Sequence, residues 1–199
     1  MGVVWCIGCP GAGKSTLARA KAKAKCDELR RPLLVVNCEG DREFDALPSC
    51  STVAELPALI VRNRAVCFDA LKASKPELRK LAGFLERAGP RVVLIDGAHA
   101  LLDAHSAAGD AWVRLQRVHR HAELELIWTT HHLGGDVPQV VQACAPELYV
   151  FRTTSPAALK ALEAQFGLDP QKIRTLERGN FVKVELGFPP SPLTRSRGR

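Results

Sequence analysis

The chain has 199 residues, 46% hydrophobic and 25% charged, a mix that excludes a largely disordered chain and supports one core without disulfide staples. No apolar run reaches the roughly 18–20 residues of a membrane span, and Met1-Gly2-Val3-Val4-Trp5 lacks the basic leader of a signal peptide, so a cytoplasmic protein is expected. Basic residues number 28 against 21 acidic ones, and the net charge of +7 favours a polyanionic partner. Seven cysteines without a repeating spacing fit reduced thiols. Cys6 and Cys9 have CxxC spacing, but no second pair completes a zinc site around them.

Short apolar runs alternate with amphipathic segments. Val3 to Ile7 reads as a strand, followed by a glycine-rich turn and a helix from Lys14 to Leu29. Pro32 to Asn37, apolar almost throughout, reads as a strand buried on both faces. Residues 40–64 are broken by Pro48, Ser49, Ser51 and Pro57 and leave room for one short helix. Arg64 to Asp69 predicts a third strand, and Lys75 to Ala88 a helix opened by Ser74 and Pro76 and ended at Gly89-Pro90. Arg91 to Asp96 is the plainest strand. Ala104 to His121 predicts a helix, Glu125 to Thr129 a strand and Pro146 to Arg152 another. Ser155-Pro156 opens a helix running to Phe166, because serine caps and proline suits the first turn. Phe181 to Leu186 closes with an alternating strand, and Gly187 to Arg199, rich in proline and arginine, predicts a flexible basic tail. Strands alternating with helices predict an α/β fold over residues 1–186, a mostly parallel sheet with helices on both faces. Trp112 and Trp128 fall in its core.

Gly8-Cys9-Pro10-Gly11-Ala12-Gly13-Lys14-Ser15 matches GxxxxGK[ST] in full, and Thr16 follows. The motif comes after a strand and opens a helix, the context a phosphate-binding loop requires. Its glycines let backbone N–H groups turn inward around phosphate oxygens, and the helix N-terminus adds roughly half a positive charge. Lys14 is placed to reach the β- and γ-phosphates of ATP, and the Ser15 hydroxyl to ligate Mg2+. Four apolar residues of the Arg91–Asp96 strand lead to Asp96 at its C-terminal edge, where ligands bind in open α/β sheets, so Asp96 is expected to hold Mg2+ through water, because that ion is reluctant to lose its hydration shell.

Leu94-Ile-Asp-Gly-Ala-His99 resembles the Walker B strand of the additional-strand (RecA/ASCE-like) P-loop ATPases, which usually reads Asp-Glu-Ala-His. Leu126-Ile-Trp-Thr-Thr-His-His132 is similar to the sensor strand of that class. Tyr149-Val-Phe-Arg-Thr-Thr154, a helix, and Leu176 to Glu185 resemble the end of FtsK–HerA superfamily motors, where a strand ending in Phe-Arg precedes a helix and a short β element. The likeness runs from residue 3 to 186, and only the P-loop is individually specific. Compact size points to the viral genome-packaging branch. The resemblance implies ATP-driven movement of double-stranded DNA by a homo-oligomeric ring, pentamer or hexamer, with a capsid or portal partner, in a host cytoplasm or on a virion.

The chain departs from that pattern in two places. The family places its water-polarising glutamate directly after the Walker B aspartate, and Gly97 stands there. Glu39, after the second strand, is the first substitute, since some related ATPases draw this glutamate from a neighbouring strand. Asp69 and His99 are the others. His131 occupies the position where the family often has glutamine, so a protonatable imidazole stands beside Thr130, the expected γ-phosphate sensor. A zinc site from His131 and His132 with His119 or His121 has no supporting ligand spacing.

Subunits of such rings complete each other's sites with arginines, worth about 10³–10⁵ in rate. Arg114, Arg117 and Arg120 recur at helical spacing, and the resemblance favours Arg117 or Arg120, with Arg152 a further candidate. For DNA, the candidates are Lys21, Lys23 and Lys25, Arg62 and Arg64, and Arg195, Arg197 and Arg199 in the tail. Two other readings stand beside the motor. One is a small P-loop kinase, for which no arginine-rich lid is found. The other, motivated by Gly97, is a nucleotide-gated module with little hydrolysis.

Overall fold

A computed structural model of the chain describes residues 2–102, 107–131, 147–185 and 194–195. The described strands are β1 (Val3–Ile7), β2 (Leu33–Asn37), β3 (Ser49–Cys50), β4 (Ala65–Asp69), β5 (Arg91–Asp96), β6 (Leu124–Thr130), β7 (Glu147–Phe151), β8 (Asn180–Glu185) and β9 (Thr194–Arg195). They join one sheet in the order β3-β4-β2-β5-β6-β1-β7-β8-β9. Pairing is parallel from β3 through β7 and antiparallel at β7–β8 and β8–β9. The described helices are α1 (Lys14–Leu29), α2 (Leu56–Arg62), α3 (Lys75–Leu85), α4 (Ala107–Val118), α5 (Pro156–Phe166) and α6 (Pro170–Arg174).

Helices cover both faces, which is why the central strands carry apolar residues at every position. All residues of β1, β5 and β6 are buried. On one face Val4, Cys6, Val35, Val92, Leu94 and Ile127 pack with Ala18, Ala22 and Cys26 of α1. The small residues of α1 let it lie close to the sheet. The opposite face packs Trp5, Val93, Ile95 and Trp128 with Leu81 and Leu85 of α3, Trp112 of α4 and Leu159 of α5. Trp5 stacks on Trp128 with centroids 5.1 Å apart, and Trp112 meets Trp128 edge-on at 6.0 Å.

The helices over Lys14–Leu29 and Pro156–Phe166 have the expected bounds, and Ser155 caps the latter by accepting from the Ala158 N–H. Five features differ from the expectations. The helix begun at Ser74 ends at Leu85 rather than Ala88, and the helix expected to reach His121 ends at Val118. Ser49–Cys50 pairs with Cys67–Phe68, a strand too short to leave a periodic signal. Pro170–Arg174, capped by the Asp169 side chain, adds a helix of little more than one turn. Within the expected tail, Thr194–Arg195 pairs with Phe181 and Asn180 of β8, and the rest of 187–199 lies outside the described residues.

The position of β6 organises the site. It lies between β1 and β5, pairing with both, so the phosphate-loop strand and the Asp96 strand are separated by one additional strand. Asn37 is in register with Asp96 across β2–β5, and Ile7 with Thr130 across β1–β6. The C-terminal ends of β1, β2, β5 and β6 therefore meet at one edge, where open α/β sheets bind ligands.

Candidate nucleotide site

The phosphate loop starts where β1 leaves the sheet. Gly13 caps α1 with φ 106° and ψ 7°, a left-handed conformation that side chains rarely adopt. A Cβ there would also lie 3.2 Å from the Gly179 Cα. Three backbone bonds brace the loop from outside: Gly8 N–H to the Thr130 carbonyl (3.2 Å), Cys9 N–H to the Arg152 carbonyl (2.8 Å), and Gly179 N–H to the Ala12 carbonyl (3.0 Å). The three segments resembling motor motifs downstream thus all hold the loop. Lys14 is buried and donates to the Cys9 carbonyl (3.0 Å). Burial lowers its pKa, while the Glu39 and Asp96 charges act to raise it. Pro10, Gly11 and Thr16 are exposed, and Cys9 and Ser15 half-buried. Cys6 is a free thiol that burial pushes up to about 12, and Cys9 is also free, so the CxxC pair is not a disulfide.

Asp96 is 1% exposed. Its Oδ1 accepts from Ser15 Oγ (3.0 Å) and Thr129 Oγ1 (2.7 Å), while Thr129 Oγ1 accepts from the Gly97 N–H (3.0 Å). Burial raises the carboxyl above its ordinary 3.8, and the two hydroxyl bonds act to lower it. Ser15 Oγ and Asp96 Oδ1 form an oxygen-only pair 3.0 Å apart, close to the roughly 2.9 Å between adjacent ligands of an octahedron with 2.0–2.1 Å bonds. The donor set therefore fits Mg2+. Thr129 was not among the expected site residues. Its signal was register: Ile95 pairs with Trp128, which puts Asp96 beside Thr129. Strand alternation places Thr129 on the Asp96 face and the buried Thr130 on the other.

Glu39 reaches into the space left by Gly97. A Cβ built on Gly97, whose φ is +84°, would lie 2.5 Å from Glu39 Cγ and 3.1 Å from its Cδ. Glu39 Oε1 is 2.9 Å from His131 Nδ1 and 3.8 Å from His99 Nδ1, and the two imidazoles meet edge-on with centroids 4.0 Å apart. The turn carrying Glu39 is clamped. Asn37 bonds both the N–H and the carbonyl of Asp41 (3.0 and 3.1 Å), and Arg19 of α1 pairs with Asp41 at 3.2 Å. Sequence reading missed Asn37, Asp41 and Arg19, since none falls in a motif.

Other expected residues lie elsewhere. Asp69 accepts from the Lys72 N–H (3.3 Å) and pairs with its ammonium (2.8 Å), serving the turn after β4. Arg114 pairs with Glu86 (3.2 Å), tying α4 to the end of α3. Arg117 and Arg120 are exposed near the start of β6. The seven residues of β6 separate them from the phosphate loop by about 20 Å. His119 and His121 also precede β6, so they stand apart from His131, and His132 lies outside the described residues. Arg152 is exposed beside the loop its carbonyl braces. Lys21 pairs with Glu147 (3.0 Å) and lies 4.4 Å over the Tyr149 ring, and Lys25 pairs with Glu28 (2.9 Å), while Lys23, Arg62 and Arg64 are exposed.

The raised Asp96 pKa fixes the sign of a stability effect. The folded carboxyl binds its proton more tightly than the unfolded one, so stability falls as pH rises from 3.8 through the raised value. The ionised carboxylate therefore destabilises the nucleotide-free protein at neutral pH. Asp96→Asn keeps an acceptor for both hydroxyls, and it is expected to raise Tm at pH 7 by about 2–4 °C. Thermal melts across pH should show the gain shrinking to nothing in acid, and a lower Tm at pH 7 would refute this account.

Residues 1–133 match the family model described as an AAA domain. No curated protein matches the chain. The structure is similar to the genome packaging NTPase B204 from Sulfolobus turreted icosahedral virus 2 in complex with ATP-gammaS, with TM-score 0.70 and 19% identity over 94% of this chain and 92% of that one. It is also similar to B204, the DNA-packaging ATPase from Sulfolobus Turreted Icosahedral Virus, at TM-score 0.72 and 19% identity over 93% of this chain and 92% of that one. For VirB4 of Thermoanaerobacter pseudethanolicus the TM-score is 0.71 and the identity 12%, over 98% and 89% of the two chains. Identities this low carry the fold alone. With the family model covering the first 133 of its 199 residues, the chain belongs to the AAA-domain family of P-loop ATPases.

Proposed function

We propose that this ATPase moves double-stranded DNA, as a genome-packaging motor working in a homo-oligomeric ring. One observation carries its hydrolytic part: Glu39 fills the place of the missing side chain at Gly97, beside the Asp96 carboxylate. This supplies the acid–base group whose absence from position 97 favoured a non-hydrolysing module. ATP lies over the N-terminus of α1, with Lys14 swinging from the Cys9 carbonyl to the β- and γ-phosphates. Ser15 and Asp96 would hold Mg2+, which would neutralise charge on the phosphate oxygens. Glu39 orients the attacking water and takes its proton as the water oxygen bonds to the γ-phosphorus and the bond to the β-phosphate oxygen breaks. His131 steadies the Glu39 carboxylate, and Thr130, through its carbonyl bond to Gly8, couples β6 to the phosphate loop.

DNA contacts in this reading are phosphate-directed. Lys23, Arg62 and Arg64 supply them from exposed positions, with the arginines that follow residue 186, among them Arg195 of β9. Among the described residues no helix is long and apolar enough to cross a membrane. The resemblance to packaging ATPases adds a capsid or portal partner and residence in a host cytoplasm or on a virion.

The deciding measurement is ATP hydrolysis with and without duplex DNA. Duplex DNA is expected to stimulate turnover, with the stimulation falling as salt rises. Phosphate transfer to a small acceptor without DNA-stimulated hydrolysis would establish the kinase reading instead. Glu39→Gln is expected to keep ATP affinity and lose at least about 10²-fold in turnover. The double variant Glu39→Ala, Gly97→Glu should recover part of that loss by supplying the carboxylate from the adjacent strand. Unchanged turnover in Glu39→Gln removes Glu39 from the chemistry.

Arg117 and Arg120 lie too far from their own phosphate loop to act on it, and in the motor reading they act at a neighbour's site. Arg117→Ala or Arg120→Ala subunits mixed with wild type are expected to depress activity more than in proportion to their fraction. A strictly proportional loss removes action across subunits.

A further inference from the structure

Glu39, His99 and His131 project from the ends of three adjacent strands, β2, β5 and β6. Each offers one ligand atom, and the three atoms lie within 4.8 Å of one another. Glu39 Oε1 stands 2.9 Å from His131 Nδ1 and 3.8 Å from His99 Nδ1. In a tetrahedral zinc site with bonds of about 2.0–2.2 Å, neighbouring ligand atoms are about 3.3–3.5 Å apart. The two distances bracket that value, so small side-chain rotations would bring the atoms onto one ion. The side chains are 36%, 25% and 28% exposed for Glu39, His99 and His131, so the cluster lies near the surface, with the His99 Nδ1 atom itself covered.

The backbone is fixed where it matters. Cys38 N–H donates to the Asp96 carbonyl (2.9 Å), locking the Glu39 turn to β5, and Asn37 holds the far side of that turn through Asp41. His99 lies in a short 3-10 turn over Ala98–Ala100, directly after Gly97. A side chain at position 97 would collide with Glu39, so the glycine is part of what keeps the three groups together.

We infer that Glu39, His99 and His131 form a second cation site beside the nucleotide site, taking an imidazole-preferring divalent ion such as Zn2+ and leaving a coordination position open. Its chemistry separates it from the Ser15–Asp96 pair. That pair offers only oxygen and suits Mg2+, whereas two imidazoles and a carboxylate suit zinc and its neighbours in the transition series. Two histidines, one glutamate and an open position also form a donor set used by catalytic zinc. Binding displaces any protons on the imidazoles, so affinity falls in acid. The consequence for turnover rests on Glu39 being the base in the proposed function: an ion on that carboxylate withdraws it from the attacking water and arrests hydrolysis.

The test titrates Zn2+, and Co2+ as a spectroscopic stand-in, into chelator-treated, nucleotide-free full chain with excess Mg2+ present throughout. The expected result is one ion per chain, undisplaced by Mg2+, with the visible absorption of four- or five-coordinate cobalt and no thiolate charge-transfer band. His99→Asn and His131→Asn, made separately and checked for wild-type melting, should each weaken binding about 10- to 100-fold. No binding, displacement by Mg2+, a thiolate band from the cysteines, or unchanged affinity in both variants would overturn the site. Hydrolysis is measured separately. Zinc should inhibit the wild type but not His99→Asn at the same concentration, with binding of a fluorescent ATP analogue retained. Histidine-dependent zinc binding without inhibition confirms the site and removes Glu39 as the base. If the wild type binds no zinc while Glu39→Gln loses turnover, the site falls and Glu39 stands as the base.

Discussion

The site turns on one buried carboxylate that is incompletely compensated. Asp96 sits at 1% exposure with hydroxyl donors from Ser15 and Thr129. Hydrogen bonds to a charged group contribute about 1.5–3 kcal/mol each, while removing a carboxylate from water costs several kcal/mol. The balance leaves the carboxyl raised above its ordinary range, so desolvation wins. This residual cost is relieved when positive charge arrives. Ser15 belongs to the first turn of α1, Thr129 to β6 and Asp96 to β5, so the same three-way contact fixes the phosphate loop relative to both strands. The Thr129 hydroxyl donates to Asp96 and accepts from Gly97, which orders the turn through which His99 is reached.

Gly97 and Glu39 are two halves of one packing solution. Neighbouring strands run about 4.8 Å apart, a distance a glutamate side chain can span. Because β2 and β5 are in register at Asn37 and Asp96, the residue two beyond Asn37 can deliver a carboxylate beside position 97. A side chain on residue 97 would occupy the same volume, so the two placements exclude each other. From β2 the carboxylate meets His131 and His99, and Asn37, Asp41 and Arg19 hold its turn.

What the sequence made legible follows from range. The P-loop, α1, β5 and the capped helix at Ser155 are written in contiguous residues, and the structure places them where local chemistry puts them. Segments shorter than one period, such as Ser49–Cys50 and Pro170–Arg174, carry too few residues to show a pattern. Thr129 was hidden behind Thr130, since only β5–β6 register tells which threonine faces Asp96. Lys21 reads as a surface cation in the sequence, yet β7 supplies Glu147 and Tyr149 to receive it. The meeting of residues 39, 99 and 131 depends on strand order, which a linear motif does not encode.

Strand direction also constrains how such a site could be completed. In a parallel sheet the C-terminal ends of the strands share one edge, and every connecting helix returns the chain to the other. α4 makes that return from β5 to β6, which leaves Arg117 and Arg120 at the edge opposite the phosphate loop. No rotamer of an arginine spans the about 20 Å length of a seven-residue strand. If either reaches a γ-phosphate, it does so on another subunit, from an edge different from the one that carries that subunit's loop. A contact between unlike edges is heterologous, and heterologous contacts close into rings when the rotation between subunits permits. Two-fold pairing through identical surfaces would need both edges within a single interface. Oligomer geometry and arginine function are therefore one question in this fold, and an answer to either restricts the other.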